Sequence, residues 1–490
     1  MKLFLASLAL SASTIRADGS HCTYGHLYLS DTETANVYVM DVSKGVASND
    51  DIPSSAAFTV PVPAAGAGEF RLKTSPDSQF VAVSHYGDRL NGNAGGFFAM
   101  VDTGFHLDGD MIHYDAPALV ENMAVDECIG MAHVEFNAGT VTLHCDGYMP
   151  PIVDGADFTT QVNTTVHVID LDKAGGTESA VLYTMGLEGA HHGVGYSLDK
   201  KHLLHSLPTD ERRARLTNES LPFEFRVIDF AGNVLHAMDD TADKSYHCTG
   251  YHGSAKLDGT FALACNEEHA GILLVDYDSA QADDMAYGSR HVLYPTEFPN
   301  HRTGTIVGHS GADFLLANFA NSADASFHIM AFDPKQTSIE QSAVFTLPAS
   351  QCLFGFEKSK GEVVYVMTPE NGTLHVLEWH TDHWDVLVQK QVIPGMLACS
   401  EVVAAVGVNQ VFVAHKATKK LYVAKVEDGV VDVFMNDLPF EANRMAVAGA
   451  PNSASCGVKE EESDATSGAD VAVMSTFMAV ATASLAIMMW

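Results

Sequence analysis

Eight times along this chain a short run of β-favouring residues ends in a charged turn. The copies are Val37-Tyr-Val-Met-Asp41, Phe98-Ala-Met-Val-Asp102, Val166-His-Val-Ile-Asp170, Phe225-Arg-Val-Ile-Asp229, Ile272-Leu-Leu-Val-Asp276, Phe327-His-Ile-Met-Ala-Phe-Asp333, Leu374-His-Val-Leu-Glu378 and Leu421-Tyr-Val-Ala-Lys425. Helical periodicity is nearly absent between them, and Gly, Asp, Asn and Pro punctuate short β-rich runs, as in an all-β repeat fold. Each copy serves as the third of four strands in a unit, and seven copies have an inner strand ahead of them, starting near Phe70, His133, His192, His252, Thr303, Leu353 and Val402. The first copy lacks one, while the last strand, Arg444-Met-Ala-Val-Ala448, has no second strand after it. Each orphan supplies what the other lacks. The expectation is an all-β, eight-bladed β-propeller closed by pairing of its N- and C-terminal strands, because closure removes the open sheet edge. Seven blades is the nearest alternative.

Such a fold returns one kind of loop to one place. The loop entering an inner strand and the loop joining the second and third strands share a face, and histidines crowd both. His133, His191, His192, His252 and His301 fall in the first kind, while His85, His144, His205, His269 and His415 occupy or adjoin the second. Zinc takes nitrogen and oxygen ligands, usually four in tetrahedral array, so several blades must each supply one. His85, His133, His192 and His252, from four successive blades, are the leading metal ligands; His144, His191, His205, Glu267, His269 and His301 are secondary candidates. Asp88, Asp146, Glu267 and Glu268 add carboxylates to the same rim. Gly193 and Gly253 follow two of the histidines, which suits either close backbone approach or a plain turn. His167, His328 and His375 repeat within third strands and read as structural. A lesser cluster, His380-Thr-Asp-His383 with His106 and His113, falls on the opposite face.

Charge and termini bound the function. With 62 acidic against 27 basic residues the chain is unsuited to nucleic acid, whose polyanionic backbone needs a basic surface, whereas an acidic surface concentrates cations. Residues 1–17 read as a secretory signal and residues 22–456 as the propeller. An acidic, small-residue linker follows at 457–470, then an uncharged tail at 471–490. Nothing basic lies beyond that tail, so a GPI-attachment signal fits it better than a membrane span, and either would place the protein at the cell surface; without anchoring it would be secreted. Sequons at Asn163, Asn218 and Asn371 match a eukaryotic secretory glycoprotein. Eight cysteines in an exported chain imply disulfides. Cys128–Cys145 and Cys248–Cys265 share one spacing and each brackets a histidine-initiated strand; Cys22–Cys456 would staple the ends, leaving Cys352–Cys399.

A resemblance adds to this. The blocks Ala190-His-His-Gly-Val-Gly-Tyr-Ser-Leu and Leu203-Leu-His-Ser-Leu-Pro, and Cys248-Thr-Gly-Tyr-His-Gly-Ser-Ala leading to Cys265, resemble the core of the periplasmic zinc chaperones of bacterial ABC-type zinc importers, the AztD type. The resemblance covers most of the propeller and is sharp from about Ala190 to Asp276. It implies a β-propeller that binds zinc, or a similar divalent ion such as cobalt or copper, and passes it to a solute-binding protein or membrane transporter. His192 and His252 are the ligands it favours most. The sequons, the acidic surface and the tail depart from the bacterial pattern, so the delivery partner does not carry over with the fold. The sequence offers no phosphate loop, Gly-x-Ser-x-Gly elbow or His-Glu-x-x-His helix in usable context, and the expectation is not an enzyme. The alternatives are a copper- or zinc-dependent propeller enzyme, and a cell-surface interaction propeller with incidental histidines.

Overall fold

The computed structural model describes residues 25–42, 52–53, 55–60, 70–86, 96–108, 111–217, 221–222, 224–238, 248–267, 270–277 and 288–449. Among them lie eight four-stranded antiparallel sheets and one two-stranded sheet. The eight sheets are the blades of a β-propeller. Each inner strand falls where the repeat analysis places it: Phe70–Thr74, Met131–Asn137, Gly195–Ser197, Tyr251–Leu257, Ile306–Val307, Leu353–Phe356 and Val402–Val406 open blades 2 to 8. All eight third-strand motifs are third strands, from Asn36–Asp41 in blade 1 to Lys420–Glu427 in blade 8.

Blade 1 is the seam. Its inner strand is the chain's last, Ala442–Ala448, paired antiparallel to His26–Asp31, with His26 opposite Ala448 and Leu29 opposite Met445. The register matters because a one-residue slip would exchange Leu27 and Leu29 with Tyr28 between the two cores that flank this strand. Both are fully buried, packed with Met445 of the seam strand and with Phe412, Leu421 and Val423 of blade 8. Burying such a side chain contributes about 1.5–3 kcal/mol, so the closing strand is held by packing as well as by its ladder.

Three of the expected disulfides are present: Cys128–Cys145, Cys248–Cys265 and Cys352–Cys399. The first joins the outer strand of blade 2, Ala118–Cys128, to the second strand of blade 3, Thr140–Cys145, and so clamps neighbouring blades just below the histidine-bearing rim. Closing a loop of this size stabilises by about 3 kcal/mol in the chain-entropy model. The Cys22–Cys456 pairing lies outside the described residues, as do His269, Asp88, Glu268 and the two terminal segments. Among the described residues no helix is long and apolar enough to cross a membrane.

Candidate metal centre

Three successive blades build the site. In blade 3 the inner strand Met131–Asn137 runs antiparallel to Thr140–Cys145, and a register shift after Met131 leaves His133 opposite His144. Asp146 follows at the strand's end. In blade 4 the segment 190–194 leads into Gly195–Ser197 and carries His191 and His192. In blade 5 His252 sits at the start of Tyr251–Leu257, beside another register shift that frees it from regular pairing.

The three imidazoles form an arc. The ring centroids of His133 and His192 are 5.2 Å apart, and those of His192 and His252 are 5.4 Å apart. Two imidazoles bound to one tetrahedral ion at about 2.0–2.1 Å hold their centroids about 5 Å apart, so the spacing suits a shared ion. Among the described residues no group of three or more His, Cys, Asp or Glu side chains is arranged to hold an ion as it stands.

The outer nitrogens of the arc are engaged. His252 Nδ1 is 2.8 Å from the Gly304 carbonyl oxygen, which only accepts, so Nδ1 carries the proton. His192 Nδ1 donates to Asp146 Oδ2 at 2.9 Å. His133 Nδ1 faces Glu135 Oε1 at 3.6 Å, and Glu135 is anchored in turn by Lys73 Nζ at 2.7 Å. A neutral imidazole protonated at Nδ1 presents its lone pair at Nε2. Carboxylates and carbonyls behind metal-ligating histidines fix tautomer and orientation in just this way. The Tyr86 hydroxyl donates to Asp146 Oδ2 at 3.2 Å, tying the carboxylate to blade 2.

Beneath the arc lies a second, dry layer. His144 is fully buried, its ring centroid 5.0 Å from that of His191, and its Nδ1 is buried with no hydrogen-bond partner. His191 is held by Thr164 Oγ1 at Nδ1, 3.0 Å, and by Ser206 Oγ at Nε2, 3.1 Å. His205 Nδ1 donates to the Ser206 carbonyl at 3.0 Å. Burial, which disfavours the imidazolium, pushes the His144 pKa down to about 3 and that of His205 to about 4, and holds His191 well below the ordinary value. The same cause lowers His133, against the opposing pull of Glu135. These rings are neutral at physiological pH.

Glycine makes this packing feasible. A Cβ at Gly193 would stand 1.9 Å from Ser206 Oγ and 2.9 Å from His191 Nε2. Gly253 has φ +103°, and a Cβ there would meet the Gly304 carbonyl oxygen at 2.9 Å. Close approach is the reason for both glycines.

The other candidates are dispersed. His85 is buried at the end of Phe80–His85, paired through its backbone with Phe70 and Phe97. Glu267 is exposed, its side chain against Gly250. His301 stands beside His328, ring centroids 5.1 Å apart, with Ser326 Oγ 3.0 Å from its Nε2. The third-strand histidines His167 and His328 each bond a threonine directly opposite on the outer strand, Thr184 and Thr346, at 3.1 Å. Asp146 is the residue whose importance a linear reading understates. The sequence marks it only as one rim carboxylate beside Cys145, whereas its contacts reach blades 2 and 4.

The AztD-type resemblance recurs in both sequence and fold comparisons. The zinc chaperone AztD of Citrobacter koseri is 28% identical over 188 residues, which is 38% of this chain and 38% of that protein. The structure of apo AztD from Citrobacter koseri superposes with a TM-score of 0.63 at 19% identity, covering 86% of this chain and 97% of the other. The fold is that of an AztD-type β-propeller. No protein-family model matches the chain. A putative 6-phosphogluconolactonase from Bacteroides uniformis gives a TM-score of 0.43 at 9% identity, covering 86% of this chain and 98% of that one. That likeness carries no functional argument.

Proposed function

We propose that the protein is an extracytoplasmic zinc-binding protein that captures the ion on the rim of its central channel and hands it to a transport system. The observation that carries this is the arc of His133, His192 and His252, each with Nδ1 facing an acceptor and Nε2 left to coordinate. The likeness to the zinc chaperone AztD of Citrobacter koseri supports the same reading. Three nitrogens leave one position of a tetrahedral ion open. A recipient's ligand can enter there and draw the ion away by exchange, with no bond to the protein broken before a new one forms. Cobalt or copper would meet the same donors, and the net charge of −35 favours cation capture at long range.

We place the protein in the secretory pathway, at the cell surface, with residues 471–490 as a GPI-attachment signal. The three disulfides and the exposure of Asn163 and Asn371 support that location. Release of the protein from cells by a phosphatidylinositol-specific phospholipase tests the anchor; retention would favour a spanning tail.

The test of function is calorimetric titration of tag-free protein with zinc chloride. His192→Ala and His252→Ala should each weaken binding, and His328→Ala should leave it unchanged. Equal affinities in all three variants would overturn the site and bring the interaction-propeller reading forward.

A further inference from the structure

The hairpin of blade 7 on the opposite face carries its own constellation. Strands Thr373–Trp379 and Trp384–Gln391 pair antiparallel, with Trp379 opposite Trp384 and Glu378 opposite Asp385. Thr381 adopts φ +59° and the His380 amide donates to the His383 carbonyl at 3.0 Å, so the connecting turn brings two imidazoles alongside each other. Their centroids are 5.2 Å apart and their planes 27° from parallel.

Like charges directly opposite on a hairpin repel, yet here Glu378 and Asp385 face each other across the ladder. A positive charge between them removes the conflict. His380 Nε2 lies there, 3.2 Å from Glu378 Oε2 and 3.4 Å from Asp385 Oδ2. His383 Nε2 is 3.9 Å from the other oxygen of Asp385, while its Nδ1 is engaged by Asp382 at 2.6 Å. Donor atoms on one tetrahedral ion at about 2.0–2.1 Å stand about 3.3 Å from one another, close to the shorter two of these separations.

We propose that this hairpin is a second, independent divalent-metal site, with Glu378, His380, His383 and Asp385 as ligands and Asp382 orienting His383. The four side chains are 28–58% exposed, so rotation about their side-chain bonds can complete the convergence and an ion can enter from solvent. Its mixed nitrogen and oxygen donors suit zinc or a similar first-row ion. Any proton displaced from His383 on binding leaves to water, and no change of oxidation state is involved.

Zinc chloride titrations of the tag-free full chain decide it, with cobalt chloride giving the visible spectrum of a tetrahedral ion. The double variant His380→Ala, His383→Ala should bind one equivalent fewer than its parent, both in the wild-type chain and in a chain carrying His192→Ala and His252→Ala. Asp385→Asn should weaken the same equivalent by roughly 10-fold or more. The lost equivalent is counted against each parent, so the outcome is independent of whether the rim site binds. Unchanged stoichiometry in the hairpin variants, with unchanged circular dichroism, would overturn the proposal and leave the cluster as proton-bridged ion pairs.

Discussion

The rim arc and the blade 7 hairpin use the same residue under opposite solvation. At the rim His133 is largely buried and the layer beneath it is cut off from water, and burial outweighs the nearby carboxylates, so these rings stay neutral. At the hairpin His383 is open to solvent and its contact with Asp382 raises its pKa. A neutral imidazole is a ready ligand, whereas a protonated one must first release its proton. In the two proposed sites, desolvation therefore favours the ligand form of the buried rings, and carboxylate pairing sets metal in competition with protons. The cost of the first arrangement is borne by the fold: the buried rings must remain uncharged for it to stand.

The largest expected effect follows from that cost. His144 and His205 have folded-state values near 3 and 4, below the unfolded value of about 6.5. Below about pH 6.5 the unfolded chain binds protons that the native one refuses, so their contribution is full above that pH and is lost as pH falls towards 4. A depression of this size corresponds to on the order of 3 kcal/mol for His205 alone by pH 4. Urea denaturation of the metal-free protein at pH 7.5, 5.5 and 4.5 should show a falling midpoint, and His205→Gln should flatten the profile. A profile equally steep in that variant would break the contrast.

Removing a rim ligand comes next. His192→Ala should weaken zinc by roughly 100-fold, equivalent to about 3 kcal/mol, with His328→Ala as the silent control. Wild-type affinity at the rim should hold to lower pH than at the hairpin, because burial of His133 opposes its protonation whereas the Asp382 contact favours that of His383. Titrations at pH 7.5 and 6.0 compare the two directly, and a greater loss at the rim would reverse the comparison.

A smaller effect is expected from Asp146→Asn. It keeps the size of the side chain but removes the charge behind His192, and should lower affinity by roughly 10-fold while leaving urea stability nearly intact. Loss of folding instead of affinity would make Asp146 a structural residue. The smallest effect belongs to the hairpin fold itself. His383→Ala should change stability by less than about 0.5 kcal/mol, since exposed ion pairs contribute little. Chemical denaturation checks this, and a larger loss would make the cluster a structural clasp.

The repeat of third strands, the orphan strand at each end and the matched cysteine spacings determined the propeller, its closure and two of its disulfides from sequence alone. These features are local: alternation of side chains and turn residues recur with the blade, and a repeat fold stacks each blade on its neighbours. The same logic sent many histidines to one rim, but a rim position does not say what a ring touches. His301 falls in the same kind of loop as His252, yet it stands beside His328 and Ser326, while His252 joins the arc and donates to Gly304. His133 and His144 are cross-strand neighbours, yet one lies in the arc and the other in the dry layer below. Tertiary structure decided these differences. Ring orientation, tautomer and charge state depend on acceptors and burial supplied by other blades, tens of residues away, and no local pattern in the chain encodes that distance.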